Sequence, residues 1–131
     1  APLSQLDLLV VLQHMARALA HLHARGMAHL DVKPHLHQPM GIVHGGVWCT
    51  MVESMASVSA HLWLSVNGGG NVVGVNNSTD FLRAVTEGTV FGVSEPIHRG
   101  RLQQLWLVTI RDDSERLIAR GQVRLQNLAE R

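Results

Sequence analysis

One cysteine, Cys49, stands in 131 residues, so no intrachain disulfide can form. That scarcity fits a reducing compartment, and a cytoplasmic protein is the expectation. Runs of lysine and arginine are missing too: 11 basic and 10 acidic residues leave a net charge of +1. Nucleic-acid binding calls for a clustered positive footprint, so no nucleic-acid partner is expected. No apolar stretch approaches the ~18 residues of a membrane span, and no membrane partner is expected. The first residues lack a basic segment followed by an apolar block, so no signal peptide is expected. Charged residues make up only 16% of the chain against 46% hydrophobic, a globular rather than a disordered composition. This length suits one domain, residues 1–131, with a real core.

What is present is patterned. Residues 5–24 carry Leu8, Leu9, Leu12, Met15, Leu19 and Leu22 at helical spacing, and Gly26 stops the pattern. Residues 27–33 alternate as a short strand, and Pro34 and Pro39 bracket a loop. From Gly45 to about Leu64 a long helix is predicted, with Trp48, Met51, Val52, Met55, Ser59 and Leu62 forming one stripe. After the turn NGGGN the period changes to alternation, predicting strands near 72–80, 87–95, 102–111 and 116–126. The order is helix, strand, long helix, four strands. That is an α+β plan, an antiparallel sheet wrapped around a long central helix. A helix apolar over most of its circumference should be covered on nearly all sides.

The central helix also carries polar groups. Thr50, Glu53, Ser57 and His61 recur at three or four and share one face. At its start, Gly45 and Gly46 expose backbone N–H groups, which with the helix dipole can hold a carbonyl oxygen that becomes negative. A phosphate could sit there instead, but the Gly-rich loop and Lys of a nucleotide cradle are missing. Gly45 and Glu53 are separated by roughly 12 Å at 1.5 Å per residue. One carbonyl cannot touch both. If both act on one substrate, they come from two chains around a two-fold axis. Cys49, in the first turn, could be a thiolate nucleophile; a buried small residue is the preferred reading. His44, ahead of the two glycines, fits a helix cap as well as a functional role.

The stretch QPMGIVHGGVWCTMVESMAS resembles the signature of hotdog-fold acyl-CoA thioesterases, most of all the branch of the phenylacetate-pathway thioesterase PaaI and the Arthrobacter-type 4-hydroxybenzoyl-CoA thioesterase. The resemblance runs through GVNNSTDFLRAVTEGTV, PIHRGRLQQLWLVTI and RLIARGQVRLQN, covering roughly residues 27–128 as the core. It implies hydrolysis of an acyl-CoA thioester to a free acid and coenzyme A, the coenzyme being part of the substrate and no cofactor being required. By match, Glu53 is the catalytic carboxylate, Gly45 donates its N–H to the thioester carbonyl, and His44 shapes that loop. Gln38 helps orient the thioester, and Ser57 helps hold the water. Glu and Ser face the Gln and Gly of a neighbouring subunit, in homodimers that pair into homotetramers. The coenzyme A phosphates need cations. Arg83, Arg99 and Arg101 are the candidates, with Gly100 between the last two so that both side chains could share a strand edge; Ser78 and Thr79 are lesser candidates. The acyl pocket should be lined by Met51, Met55 and Trp48, flexible thioethers suiting an adaptable apolar wall.

Two rival functions compete. A hotdog dehydratase or hydratase would pair a His with an acid, but Gln38 occupies the neighbourhood before His44 and cannot act as a base. A non-catalytic acyl-CoA-binding protein would ordinarily carry an output domain. Residues 1–26 depart from the thioesterase pattern, reading as helix where a lead-in and first strand belong. ALAHLHARGMAHLDVKP also resembles the approach to a protein-kinase catalytic loop, with Asp31 and Lys33 in place. That pattern then requires Asn at position 36, where Leu36 stands, and the Gly-rich loop and Asp-Phe-Gly are missing, so the likeness is read as chance. Nine histidines leave solubility and partner binding open to pH between about 5 and 7. His21/His23 and His35/His37 could ligate zinc, but no third ligand follows at a recognised spacing, so no metal is expected.

Overall fold

A long helix starts where two glycines follow a histidine. In the computed structural model, which describes residues 26–130, α1 spans Gly45–Ser65. His44 is its N-cap: the ring Nδ1 accepts the Gly46 N–H at 2.8 Å, satisfying one of the donors a helix start leaves open. Gly46 is required for that cap, because a Cβ there would lie 2.9 Å from the same Nδ1. The helix predicted over 5–24 falls outside the described residues.

Five strands form one antiparallel sheet: β1 (Met27–Asp31), β2 (Asn71–Phe81), β3 (Thr89–Arg99), β4 (Gln103–Asp112) and β5 (Leu117–Leu128). Their order across the sheet is β1-β3-β4-β5-β2. Sheet and helix together make the architecture expected of a hotdog fold, and the four strands after the helix each lie within a few residues of their expected places. Pro34–Leu36 closes one 3-10 turn where a loop was expected. Alternation carries the inward face. Trp106, Val108 and Ile110 of β4 and Ala119, Val123 and Leu125 of β5 are buried against α1.

Among the described residues the sheet covers one side of α1, not nearly all of it. Val47, Trp48, Met51, Val52, Met55, Ala56, Ser59, Ala60 and Leu64 are buried, while Thr50, Glu53, Ser54, Ser57 and Val58 stay half-exposed. The buried stripe steps along 48, 52, 56, 60 and 64, so Leu64 enters the core and Leu62, expected there, remains 45% exposed. Met51 and Met55 press on β3 where Gly92 has no side chain: a Cβ there would meet Met55 Sδ at 2.4 Å and Met51 Cε at 3.0 Å. Each such buried side chain stabilises the fold by about 1.5–3 kcal/mol.

Both sheet edges are defined. Among the described residues β1, five residues long, pairs only with β3, and β2, at the opposite end and 11 residues long, pairs only with β5. The β2–β5 register shifts between Gly74 and Asn76, a bulge that places Val75 out of step. Val73 and Val75 of this strand are exposed, as are Phe81 at its end and Leu82 just beyond.

Candidate active site

Glu53 sits in the third turn of α1, half-buried beneath the bulge of β2. The missing side chain of Gly74 makes room for it, since a Cβ there would lie 3.0 Å from Glu53 Oε2. Asn77, two residues beyond the bulge, reaches in from β2. Its Nδ2 donates to the Cys49 carbonyl at 3.0 Å and to Glu53 Oε1 at 3.3 Å. Thr79 Oγ1 donates to Asn77 Oδ1 at 2.6 Å, which turns the amide so that its donors face the helix. The chain Thr79, Asn77, Glu53 therefore fixes one carboxylate oxygen, and the other accepts no hydrogen bond among the described residues. Among the described residues the one ion pair is Arg116 with Asp112, so no cation neutralises Glu53.

An open depression of about 290 Å³ lies in front of the carboxylate, lined by Cys49, Thr50, Glu53, Ser54 and Asn77. Thr50 is in it as the shared helical face requires, but its hydroxyl donates to the Gly46 carbonyl at 2.8 Å, inside the helix. Ser54 is in it, and Ser57 is not: Ser57 lies half-exposed a turn further along, and His61 is exposed beyond it. Cys49 is half-exposed and forms part of the lining, where a buried residue was the preferred reading. The cause is the one-sided cover of α1.

Gly45 begins the helix at the other end. Its N–H donates to no acceptor among the described residues, as the first helical amide has no partner of its own. The Phe81 ring lies on Gly45, and a Cβ at 45 would meet Phe81 Cε2 at 2.5 Å. The loop ahead of it is tied down: the His44 N–H donates to Leu36 O at 2.9 Å and the Val43 N–H to Val85 O at 2.8 Å. Gln38 anchors its start. Its N–H donates to Ile42 O at 2.8 Å, its carbonyl accepts the Gly41 N–H at 3.0 Å, and its Oε1 accepts the Met40 N–H. The Gln38 side-chain nitrogen donates to no acceptor among the described residues.

The other expected residues scatter. Trp48, Met51 and Met55 are 2%, 1% and 1% exposed and pack within the core of this chain. Ser78 and Thr79 point to opposite sides of β2. Thr79 is spent on Asn77, while Ser78 lines an open polar hollow with Asp80, Arg120 and Gln122. Arg83 is exposed after β2. Arg99 ends β3 with its guanidinium 5.8 Å from the Trp63 ring centroid. Arg101 lies past the strand in the β3–β4 turn, so the two arginines do not share a strand edge. His37 Nε2 lies 2.7 Å from the Thr86 carbonyl, and no group of three His, Cys, Asp or Glu side chains suited to a metal occurs among the described residues. Asp31 accepts from Thr89 Oγ1 at 2.9 Å across the β1–β3 pair. No helix among the described residues is long and apolar enough to cross a membrane.

The sequence pattern does not single out Asn77, which anchors Glu53. The signal for Asn77 was its type, since asparagine is disfavoured in strands and two stand together at 76–77.

Comparisons with known proteins bear on this geometry. The family model described as thioesterase superfamily matches residues 40–119. The Mycobacterium tuberculosis protein named "Putative esterase Rv1847" is 63% identical over 105 residues, 79% of this chain and 75% of that protein. The solved structure under that name has a TM-score of 0.78 at 62% identity, covering 80% of this chain and 84% of that one. The proofreading thioesterase EntH of Cronobacter sakazakii is 37% identical over 68% of this chain and 64% of its own length. The 1,4-dihydroxy-2-naphthoyl-CoA hydrolase of Escherichia coli is 36% identical over 69% of this chain and 65% of its own.

Proposed function

The chain belongs to the thioesterase superfamily, and from that premise we propose that it hydrolyses an acyl-CoA thioester to a free carboxylic acid and coenzyme A, at sites shared between two copies. The observation that carries this reading is the placement of Glu53. It is half-buried, free of any cation among the described residues, and gripped by Asn77 from a sheet edge that has no partner strand among them. A carboxylate so held is restrained for chemistry and lies where a second copy can approach.

Gly45 and Glu53 of one chain are too far apart to serve one carbonyl, roughly 12 Å along the helix axis. In a dimer closing along β2, the Gly45 amide of one copy meets the Glu53 of the other. The exposed Val73, Val75 and Phe81 supply apolar surface for that closure. Such dimers pair into a tetramer in the proposed assembly, in the cytoplasm.

The thioester carbonyl oxygen accepts from the Gly45 N–H at the positive end of α1. One donor of this kind is worth on the order of 100- to 1000-fold in rate. The Gln38 amide, its oxygen already held by Met40, donates to the same substrate and orients it. Glu53 either attacks the carbonyl carbon, expelling the coenzyme A thiolate and leaving an anhydride that water opens, or takes a proton from the water that attacks. Arg99 and Arg101 meet the phosphates of the coenzyme. The relative named as a naphthoyl-CoA hydrolase supports a coenzyme A thioester over a simple ester.

The test is a panel of acyl-CoAs assayed with a thiol reagent, wild type beside Glu53→Ala and Glu53→Gln. Wild type should cut at least one substrate and both variants should lose nearly all of that rate. A purified protein that leaves every acyl-CoA intact, or variants as active as wild type, would sink the reading. Single turnover in oxygen-18 water separates the routes, because only the covalent one puts label into Glu53.

A further inference from the structure

Behind the turn between β3 and β4 runs a chain of two amides, Gln104 buried and Asn127 half-buried. Gln104 is 0% exposed. Its Oε1 accepts from Trp106 Nε1 at 2.8 Å, and its Nε2 donates to Ala60 O of α1 at 3.2 Å and to Asn127 Oδ1 at 2.8 Å. That last bond sets the orientation of the Asn127 amide, whose Nδ2 then donates to Gly100 O at 2.9 Å and Arg101 O at 3.1 Å. The Asn127 N–H takes Leu102 O at 2.9 Å. A buried amide is costly unless every polar atom is satisfied, and an apolar side chain could fill the same space more cheaply. This chain is satisfied throughout and ends on three consecutive carbonyls of one surface turn.

The consequence for the turn is directional. In a trans peptide the C=O and N–H point opposite ways, and there is no cis bond among the described residues. With the Gly100 and Arg101 carbonyls drawn inward, the N–H groups of Arg101 and Leu102 point outward. Neither donates to an acceptor among the described residues. Arg99 is steadied over the Trp63 ring at 5.8 Å, and the His98 ring lies over Gly100, where a Cβ would come within 2.6 Å of its Nε2. The turn thus offers two outward amides and two guanidinium groups, a donor set suited to a phosphate ester.

We propose that Asn127, braced by Gln104, is a positioning residue that holds the Arg99–Leu102 turn in the orientation that binds the phosphates of the substrate. The inference rests on the acyl-CoA reading above. It adds that recognition of the phosphates includes the Arg101 and Leu102 amides and is set from inside the fold.

The experiment compares two thioesters of one acyl group: the acyl-CoA, and the acyl-N-acetylcysteamine thioester, which has no phosphate. Asn127→Ala should raise KM for the acyl-CoA about 10-fold with kcat retained. It should leave kcat/KM for the N-acetylcysteamine thioester unchanged. In an Arg101→Ala background, where the anion site is already weakened, it should add little. Asn127→Ser, which keeps one donor, should fall between and carries the test if the alanine variant does not fold. Equal losses on both substrates would mark Asn127 as merely structural and overturn the proposal, as would an unmoved KM for the acyl-CoA. If wild type cuts neither thioester, the acyl-CoA reading fails separately. Calorimetry with coenzyme A then decides: weaker binding by the variant supports the positioning role, and equal binding or none refutes it.

Discussion

Replacing Gly46 with alanine should expel the histidine cap from α1, and its effect on stability should depend on His44. A Cβ at 46 would lie 2.9 Å from His44 Nδ1 and 3.1 Å from Cε1, so the ring must swing away and its 2.8 Å bond to the Gly46 N–H is lost. A side-chain cap contributes about 1 kcal/mol. Opposing this, alanine is the better helix former by up to about 1 kcal/mol, and by less in a first turn than in a helix interior. In wild type the two nearly offset, with a net loss of roughly 0–1 kcal/mol. In a His44→Ala background the cap is already gone, so Gly46→Ala should stabilise. The coupling between the two sites is then about the cap itself, ~1 kcal/mol. Urea unfolding of the four proteins at one fixed protomer concentration measures it, the concentration held because association shifts apparent stability. His44→Asn, a shorter and good cap, should restore most of the stability lost in His44→Ala. Thioester hydrolysis should fall in both single variants, because the cap holds the first turn from which the Gly45 amide points. Equal effects of Gly46→Ala in the two backgrounds would refute the argument.

Asn77→Ala releases Glu53 from its anchor and should lower kcat about 10- to 100-fold with a smaller effect on KM; steady-state kinetics showing an unchanged kcat would remove Asn77 from the site. Burial works against a charged Asp112, but the N–H groups of Arg116 and Ser114 and the Arg116 guanidinium outweigh it and hold its carboxyl below the ordinary value. Its contribution to stability is therefore present above the unfolded carboxylate pKa, near 4, and is lost as pH falls through the lower folded value. Melting temperatures of wild type and Asp112→Asn should differ at pH 7 and converge on acidification below pH 4. Gly70→Ala should cost on the order of 1–3 kcal/mol in urea unfolding, because its φ is +104° and a Cβ would lie 2.1 Å from the backbone oxygen of Leu128, which cannot swing aside.

Much of the fold was legible because it rests on periodicity. The helix predicted from Gly45 to about Leu64 ends at Ser65, and four alternating runs became β2 to β5. Local chemistry was legible for the same reason: a histidine before two glycines makes a cap, and residues three and four apart share a face. Burial was not. Met51 and Met55 have the spacing of either a core or a ligand wall, and only the sheet passing over them, with Gly92 opposite, makes them core. Ser57 lies on the face of Glu53, yet Ser54 is the serine that shares its depression.

Sequence alone determined the elements, their order, the amide at the helix start and the carboxylate along its length. These depend on neighbours within a few positions, and turn geometry converts spacing directly into direction. The tertiary structure decided which partners each polar group found. Asn77 lies 24 residues from Glu53, and Gln104 lies 23 from Asn127. Hydrogen bonds at that separation follow from strand register and from a bulge, and no local pattern encodes either.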